Sequence, residues 1–245
     1  MLSDYLRYEK CLTGTKVVCA EGDCGACSVL KYYPLNSGVD AEHFVSMNSC
    51  ISPLSTLHGP HILTVESLQE GEKLHPAQSS IINHHGTQCG FCTPGFAVAL
   101  AGLCEEKISR GEKEVSEEEG KNALTGNLCR CTGYNSLIEA STQMQFEKEK
   151  SLKDRYQTKE IDGNLNEIVK DDLRIETEDY LFYAPNSYEK ALKYLDEYED
   201  AKIIAKGTDL GVVHNKRKIK LNHLLSLQLI PKAQRDGLVF HNYFE

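Results

Sequence analysis

Eight of the ten cysteines in this chain fall in two sets, and their spacing restricts the fold more than any other feature. The downstream set joins Gln88-Cys89-Gly90-Phe91-Cys92-Thr93-Pro94-Gly95 to Gly126-Asn127-Leu128-Cys129-Arg130-Cys131-Thr132-Gly133-Tyr134. A single CxxC serves zinc, redox thiols and iron–sulfur clusters alike. A CxxC answered by a CxC is more restrictive, because the chain must fold back to bring four sulfurs together. Pro94 and Gly95 suit the first turn of a helix, which puts the CxxC in the loop feeding its N-terminus. The helix dipole and unpaired N–H groups there favour thiolate and a negatively charged cluster.

In the upstream set, Cys19, Cys24 and Cys27 form a C-x4-C-x2-C run, with Cys50 further on. This is the plant-type 2Fe–2S spacing. Three thiolates so close together require a loop wrapped around the cluster. Gly22 and Gly25 permit positive φ and a close approach, so that backbone N–H groups can point at sulfur. A zinc ribbon would prefer C-x2-C pairs on both sides. Cys11 and Cys104 are left over, and both are expected as small buried hydrophobes. His84 and His85 read as solvent-facing or capping residues, because four cysteines already complete the neighbouring site.

The 245 residues correspond to one or two domains. A net charge of −9, with no Lys/Arg stripe interleaved with aromatics, argues against a nucleic-acid binder. The longest apolar run, 96–101, is too short to span a membrane. No basic stretch leads into an apolar one, so a cytoplasmic location is expected and clustered thiols favour metal over disulfides.

Periodicity places the motifs. A helix fragment at 3–8 precedes the first cysteine loop, and strands are expected at 28–33, 42–48 (delivering Cys50) and 62–65, with a turn at 34–38. Helix, loop and short strands describe a β-grasp ferredoxin-like module over 1–71. Such a module normally opens with a hairpin, which nothing before Leu2 supplies. Residues 72–148 read as an all-α four-helix unit. Phe96, Leu100, Leu103, Cys104 and Ile108 share one helix face, and Ser116 with Glu119 forms a capping box. Residues 149–179 are charged and poor in apolar side chains, which describes a partly ordered linker that lets the cluster domains and the flavin unit move relative to each other. In 180–245 a strand at 181–183 is followed by a helix capped by Asn186 with Glu189, its apolar face formed by Tyr188, Ala191, Leu192, Leu195 and Tyr198. A strand at 202–205 then runs into Gly207-Thr208-Asp209-Leu210-Gly211, a phosphate cradle or an ordinary turn. A further strand is expected at 237–240.

Together these motifs resemble the molybdenum hydroxylases, and within them the small iron–sulfur/flavin subunit of bacterial xanthine dehydrogenases. The resemblance is carried by Leu12 to Lys16 with the run ending at Cys27, by 88–95 and by 126–134, and it extends over 182–216 to the start of the FAD domain. It implies an α+β chain with a β-grasp 2Fe–2S domain, a helical 2Fe–2S domain and the start of a FAD-binding domain of the molybdopterin dehydrogenase type over 180–245. It implies that Cys89, Cys92, Cys129 and Cys131 hold the cluster nearest molybdenum, and that Cys19, Cys24, Cys27 and Cys50 hold the cluster nearer the flavin. Gln88 matches the position that contacts the molybdopterin. Lys206, Gly207, Thr208, Asp209 and Leu210 match the FAD loop. No catalytic residue is expected here, since hydroxylation belongs to a large molybdopterin-binding partner subunit and electrons leave through FAD to NAD+. Two departures stand out: Val18 and Lys206 replace usual glycines of the first cluster loop and the flavin loop. The alternatives are another molybdenum hydroxylase of the aldehyde, carbon monoxide or aromatic-acid type, a non-enzymatic 2Fe–2S carrier or adaptor, and a zinc-stabilised interaction module.

Overall fold

The computed structural model describes residues 1–33, 43–147, 149–205 and 207–231. The expected turn at 34–38, Lys206 and the strand expected at 237–240 lie outside the described residues.

The chain opens with a helical turn, α1 (Leu2–Asp4), continued by a π-turn over Tyr5–Glu9. Strands β1 (Ser28–Tyr32), β2 (Val45–Asn48) and β3 (His61–Leu63) form an antiparallel sheet in the order β2-β1-β3. Val29, Leu30 and Tyr32 are fully buried, as a central strand rich in β-branched and aromatic residues requires. Cys11 corrects the expectation made for it: it is exposed, with φ of 55°, in the left-handed turn after the π-turn, and the next residue, Leu12, packs inward instead.

Four helices follow: α2 (Pro76–Asn83), α3 (Thr93–Ser109), α4 (Glu117–Leu124) and α5 (Asn135–Thr142). The Ser116–Glu119 capping box opens α4. Helix α3 is buried almost all round rather than on one face. It lies between β1 and β2 on one side and α2 and α4 on the other, and its small residues Gly95, Ala97, Ala99 and Ala101 let those elements approach closely. Sheet and helices therefore share one core, in which Leu30, Tyr32 and Phe44 join Phe96, Leu100 and Leu137.

The first part of the stretch expected as a linker, at 151–157, is tied to that core, next to Phe146 just before it. Phe146 and Leu152 are fully buried in it, each contributing roughly 1.5–3 kcal/mol. Helix α6 (Leu152–Tyr156) is capped by Ser151, and α7 (Lys159–Ile168) by Thr158. Arg155 and Tyr156 reach the carbonyl of Ser67 at 2.7 Å, and Gln157 meets His61 at 2.9 Å. Leu152 is the fully buried apolar anchor of this stretch, whereas α7 buries none of its residues.

The last unit is a four-stranded sheet ordered β4-β5-β7-β6, from β4 (Leu173–Thr177), β5 (Tyr180–Ala184), β6 (Lys202–Ile204) and β7 (His223–Ser226). The β4/β5 pair is antiparallel, and the β5/β7 and β6/β7 pairs are parallel. Alternation along β5 sends Leu181 toward α8 (Tyr188–Glu197) and Phe182 toward Leu210 and Leu224. Two helix details differ from expectation. Ser187, not Asn186, caps α8, and Leu192 is exposed while Tyr194 is buried. Asn186 instead ties its backbone N–H to Asp172, at 2.9 Å. Among the described residues, no helix is long and apolar enough to cross a membrane.

Candidate iron–sulfur sites

The first thiol set is assembled by strand pairing. Cys27 immediately precedes β1 and Cys50 sits in the 3₁₀ turn Ser49–Ile51 that follows β2. The register Ser28↔Asn48 brings the two together, and the Ser49 hydroxyl donates to the Cys27 carbonyl at 2.7 Å. Cys24, Cys27 and Cys50 are buried and Cys19 is half-buried. The Cys24 N–H points at Cys19 Sγ, at 3.5 Å. Asn48 reaches across the loop, donating to the Gly22 carbonyl at 2.7 Å. Val18 is exposed, so its side chain stays clear of the loop.

The second set is assembled by helix ends. Cys92 is the N-cap of α3, with Cys89 in the turn before it, and Cys129 and Cys131 lie in the loop leading to α5. Cys131 Sγ is 3.5 Å from Cys89 Sγ. Cys129 Sγ accepts from the Thr132 N–H at 3.4 Å and from the Thr132 hydroxyl at 3.2 Å. The Cys129 N–H donates to the Tyr134 hydroxyl at 2.8 Å. Cys89 and Cys131 are exposed, as are Gln88, Phe91 and Leu128 around them.

All ten cysteines are free thiols, and those of the two sets meet in pairs. In each pair one thiol is held down and the other pushed up. Burial pushes Cys19 up, but the N–H groups of Glu21, Cys24 and Asp23 outweigh it and leave the thiol at about 7; burial raises Cys24. A hydrogen bond from Cys50 brings Cys27 down to about 6, and the same bond raises Cys50. The Phe91 N–H, with Cys131, lowers Cys89, while Cys131 is raised by Cys89. Burial raises Cys129, but Thr132, the Cys131 N–H and Cys92 together outweigh it and lower the thiol, and Cys92 is pushed up to about 12 by burial and by Cys129. For Cys92 the shift runs against the lowering expected at a helix N-terminus, because burial and the neighbouring sulfur outweigh its own backbone N–H. Among the described residues, no three His, Cys, Asp or Glu side chains converge on one point. Each set thus offers two thiol pairs with N–H groups aimed at sulfur, the donor types a 2Fe–2S cluster uses.

The two sets touch through the backbone. The Leu128 N–H donates to the Cys24 carbonyl at 2.9 Å. Leu128 is bonded covalently to Cys129, so one hydrogen bond and a few covalent bonds separate a thiol of one set from a thiol of the other. Asn127, Thr132 and Tyr134 all lie inside the cysteine motif, but their bonds follow from tertiary packing and not from spacing.

The residues expected in a flavin loop lie beside the first set. Gly207 takes φ of 86° and starts α9 (Thr208–Arg217). Thr208 and Asp209 are exposed in its first turn, while Leu210 packs into the core against β5 and β7. A cavity of about 220 Å³ lies between Thr208 and the first loop, lined also by Glu21, Gly22, Asn48 and Ile51.

Residues 64–142 match the 2Fe-2S binding domain, and residues 174–235 match the FAD binding domain in molybdopterin dehydrogenase. The chain is 44% identical to xanthine dehydrogenase/oxidase of Rattus norvegicus over 137 residues, covering 55% of this chain and 10% of that protein. It is 44% identical to aldehyde oxidase 2 of Mus musculus over 137 residues, covering 56% of this chain and 10% of that protein. Xanthine dehydrogenase of Drosophila pseudoobscura pseudoobscura is 28% identical over 97% of this chain and 20% of its own length. The chain thus spans a tenth to a fifth of these relatives. Its 2Fe–2S and FAD-domain stretches are thus similar to the corresponding portion of molybdopterin-dependent hydroxylases.

Proposed function

We propose that this chain is the electron-transfer portion of a xanthine dehydrogenase-type hydroxylase. Cys19, Cys24, Cys27 and Cys50 would hold one 2Fe–2S cluster, and Cys89, Cys92, Cys129 and Cys131 the other. When bound, these groups supply one-electron carriage between a molybdopterin centre on a partner and FAD, which passes the electrons on to NAD+. The observation that carries this reading is the Leu128 N–H to Cys24 carbonyl bond, which joins the two thiol sets directly through the backbone.

The other residues fit the two ends of such a wire. The second set opens to the surface beside exposed Gln88, Phe91 and Leu128, a polar amide between apolar side chains. This face suits docking of the large molybdopterin-binding partner, with the Gln88 amide donating and accepting toward the pterin. The first set is buried and faces the flavin-type unit, where Gly207, Thr208 and Asp209 would border the FAD pyrophosphate. Leu210 serves that loop by anchoring it to the core. Substrate recognition, whether of a purine or an aldehyde, is assigned to the partner portion: the equal identity to a xanthine dehydrogenase and an aldehyde oxidase marks the clusters as shared machinery. The location proposed is cytoplasmic.

Anaerobic purification with iron and acid-labile sulfide assay tests the reading. Two irons and two sulfides for each of two clusters, with two distinguishable EPR signals after dithionite, are expected. A colourless, zinc-loaded chain would contradict it, and a 2Fe–2S chain that never associates with a molybdenum-containing partner would favour a simple carrier.

A further inference from the structure

The first thiol set comes from two separate pieces of chain, the loop 19–27 and the turn Ser49–Ile51. One side chain from the flavin-type unit is bonded to both. Asn215 Nδ2 donates to the Ala20 carbonyl at 2.9 Å and to the Cys50 carbonyl at 2.7 Å. Both hydrogens of the amide are thereby used, one on each piece.

The surrounding contacts place Asn215 firmly. It is half-buried on the α9 face that meets the turn. One turn earlier, a Cβ on Gly211 would overlap the Ile51 carbonyl, so the helix backbone lies directly on the turn that carries Cys50. Val212 packs against Cys27, Cys50 and Ile51. Lys216 and Glu21 form an ion pair at 3.0 Å, but both are exposed and the pair adds little.

Ala20 shows what the clamp has to hold. It takes φ of 56°, a conformation that costs a residue with a side chain free energy and persists only where neighbours enforce it. The Asn215 bond to its carbonyl is such an enforcement. Ala20 also sets the direction of the loop in which the N–H groups of Glu21, Asp23 and Cys24 face Cys19. Those donors stabilise negative charge on sulfur and so tune a cluster's potential.

We propose that Asn215 is a positioning residue for the first cluster, closing its loop from the flavin-type unit and holding its donors in register. The proposal rests on the 2Fe–2S reading of Cys19, Cys24, Cys27 and Cys50. Asn215 lies on the same helix whose first turn carries Thr208 and Asp209, so the clamp ties the flavin-type loop and the cluster loop to one rigid element.

The test is an EPR-monitored redox titration of the full chain, purified without air, comparing the unmodified protein with Asn215→Leu and Asn215→Asp. Leucine removes both donors at similar volume. Aspartate keeps the shape, removes the donors and adds negative charge. Both variants are expected to change the g values of one of the two signals and to lower its midpoint potential, aspartate more than leucine. The second signal should stay where it was. Wild-type potentials for both signals in both variants would overturn the proposal, and so would equal shifts of both signals, which indicate a general loosening of the fold. Absence of both signals from the unmodified chain would overturn the cluster reading itself, and the clamp with it.

Discussion

The carbonyl oxygen of Gly25, in the loop of the first thiol set, accepts from Asn127 Nδ2 in the loop of the second at 3.2 Å. Gly25 has φ of 67°, and a Cβ there would overlap the Gly126 carbonyl. Gly25→Ala therefore meets two obstacles at once, an unfavourable φ and a backbone clash, with an expected cost of about 2 kcal/mol or more. Chemical unfolding should show that loss, together with faster release of iron. Unchanged stability would mean that the two loops are not packed as described.

Thr132 puts two donors on Cys129 Sγ. Thr132→Val keeps the shape and the N–H but removes the hydroxyl. The hydrogen bond is stronger to the more negative sulfur of the reduced state, so losing it should lower the second cluster's one-electron potential, by at most about 40 mV for a difference of about 1 kcal/mol. A redox titration resolves this, since the first cluster should not move.

Glu105 is buried on α3 and accepts the backbone N–H groups of Leu152 at 2.6 Å and Lys153 at 3.2 Å. Burial raises its pKa, and the two N–H groups oppose that rise. Glu105→Ala orphans both donors at the start of α6, at a cost of about 2 kcal/mol or more. Limited proteolysis should then cut first near 149–157, whereas the unmodified chain resists there. Equal resistance in both would show that the apolar anchors Phe146 and Leu152 suffice.

His75 caps α2 through Nδ1, which accepts the Ala77 N–H at 3.2 Å, so the ring must be neutral at that nitrogen. Burial, with the positive charges of Arg155 and Lys73, holds its pKa down at about 4, against 6.5 for an ordinary histidine. Below 6.5 the unfolded chain takes up a proton that the folded chain refuses. The stability is therefore complete above pH 6.5 and is lost as pH falls toward 4, by about 3 kcal/mol in all. Asn is also a good cap, so His75→Asn should keep the helix and flatten this part of the pH profile. Parallel profiles for the two proteins would contradict the assignment.

Where local rules decide the outcome, the sequence was readable. The Ser116 capping box and the short apolar runs of β1 and β5 each depend on neighbours within a few residues, and the elements follow them. Features set by distant contacts were not readable. Cys11 is exposed although thiols are usually buried, because among the described residues none covers it. The charged stretch after 149 is anchored by Glu105, Ser67 and His61, which lie about fifty to a hundred residues away. The cap of α8 moved from Asn186 to Ser187 because Asp172 and Lys170 engage Asn186. Asn215 carries no signal in its own neighbourhood; its partners are Ala20 and Cys50.

The central claim is that the two thiol sets form one wire joined at Cys24 and Leu128. Low-temperature EPR of the fully reduced protein tests it most directly, by asking whether the two clusters sense each other's spin. The account predicts two 2Fe–2S signals that split or broaden through mutual magnetic coupling on cooling, and that sharpen when only one cluster is reduced. Two signals with no interaction at any temperature, or a single signal, would contradict it.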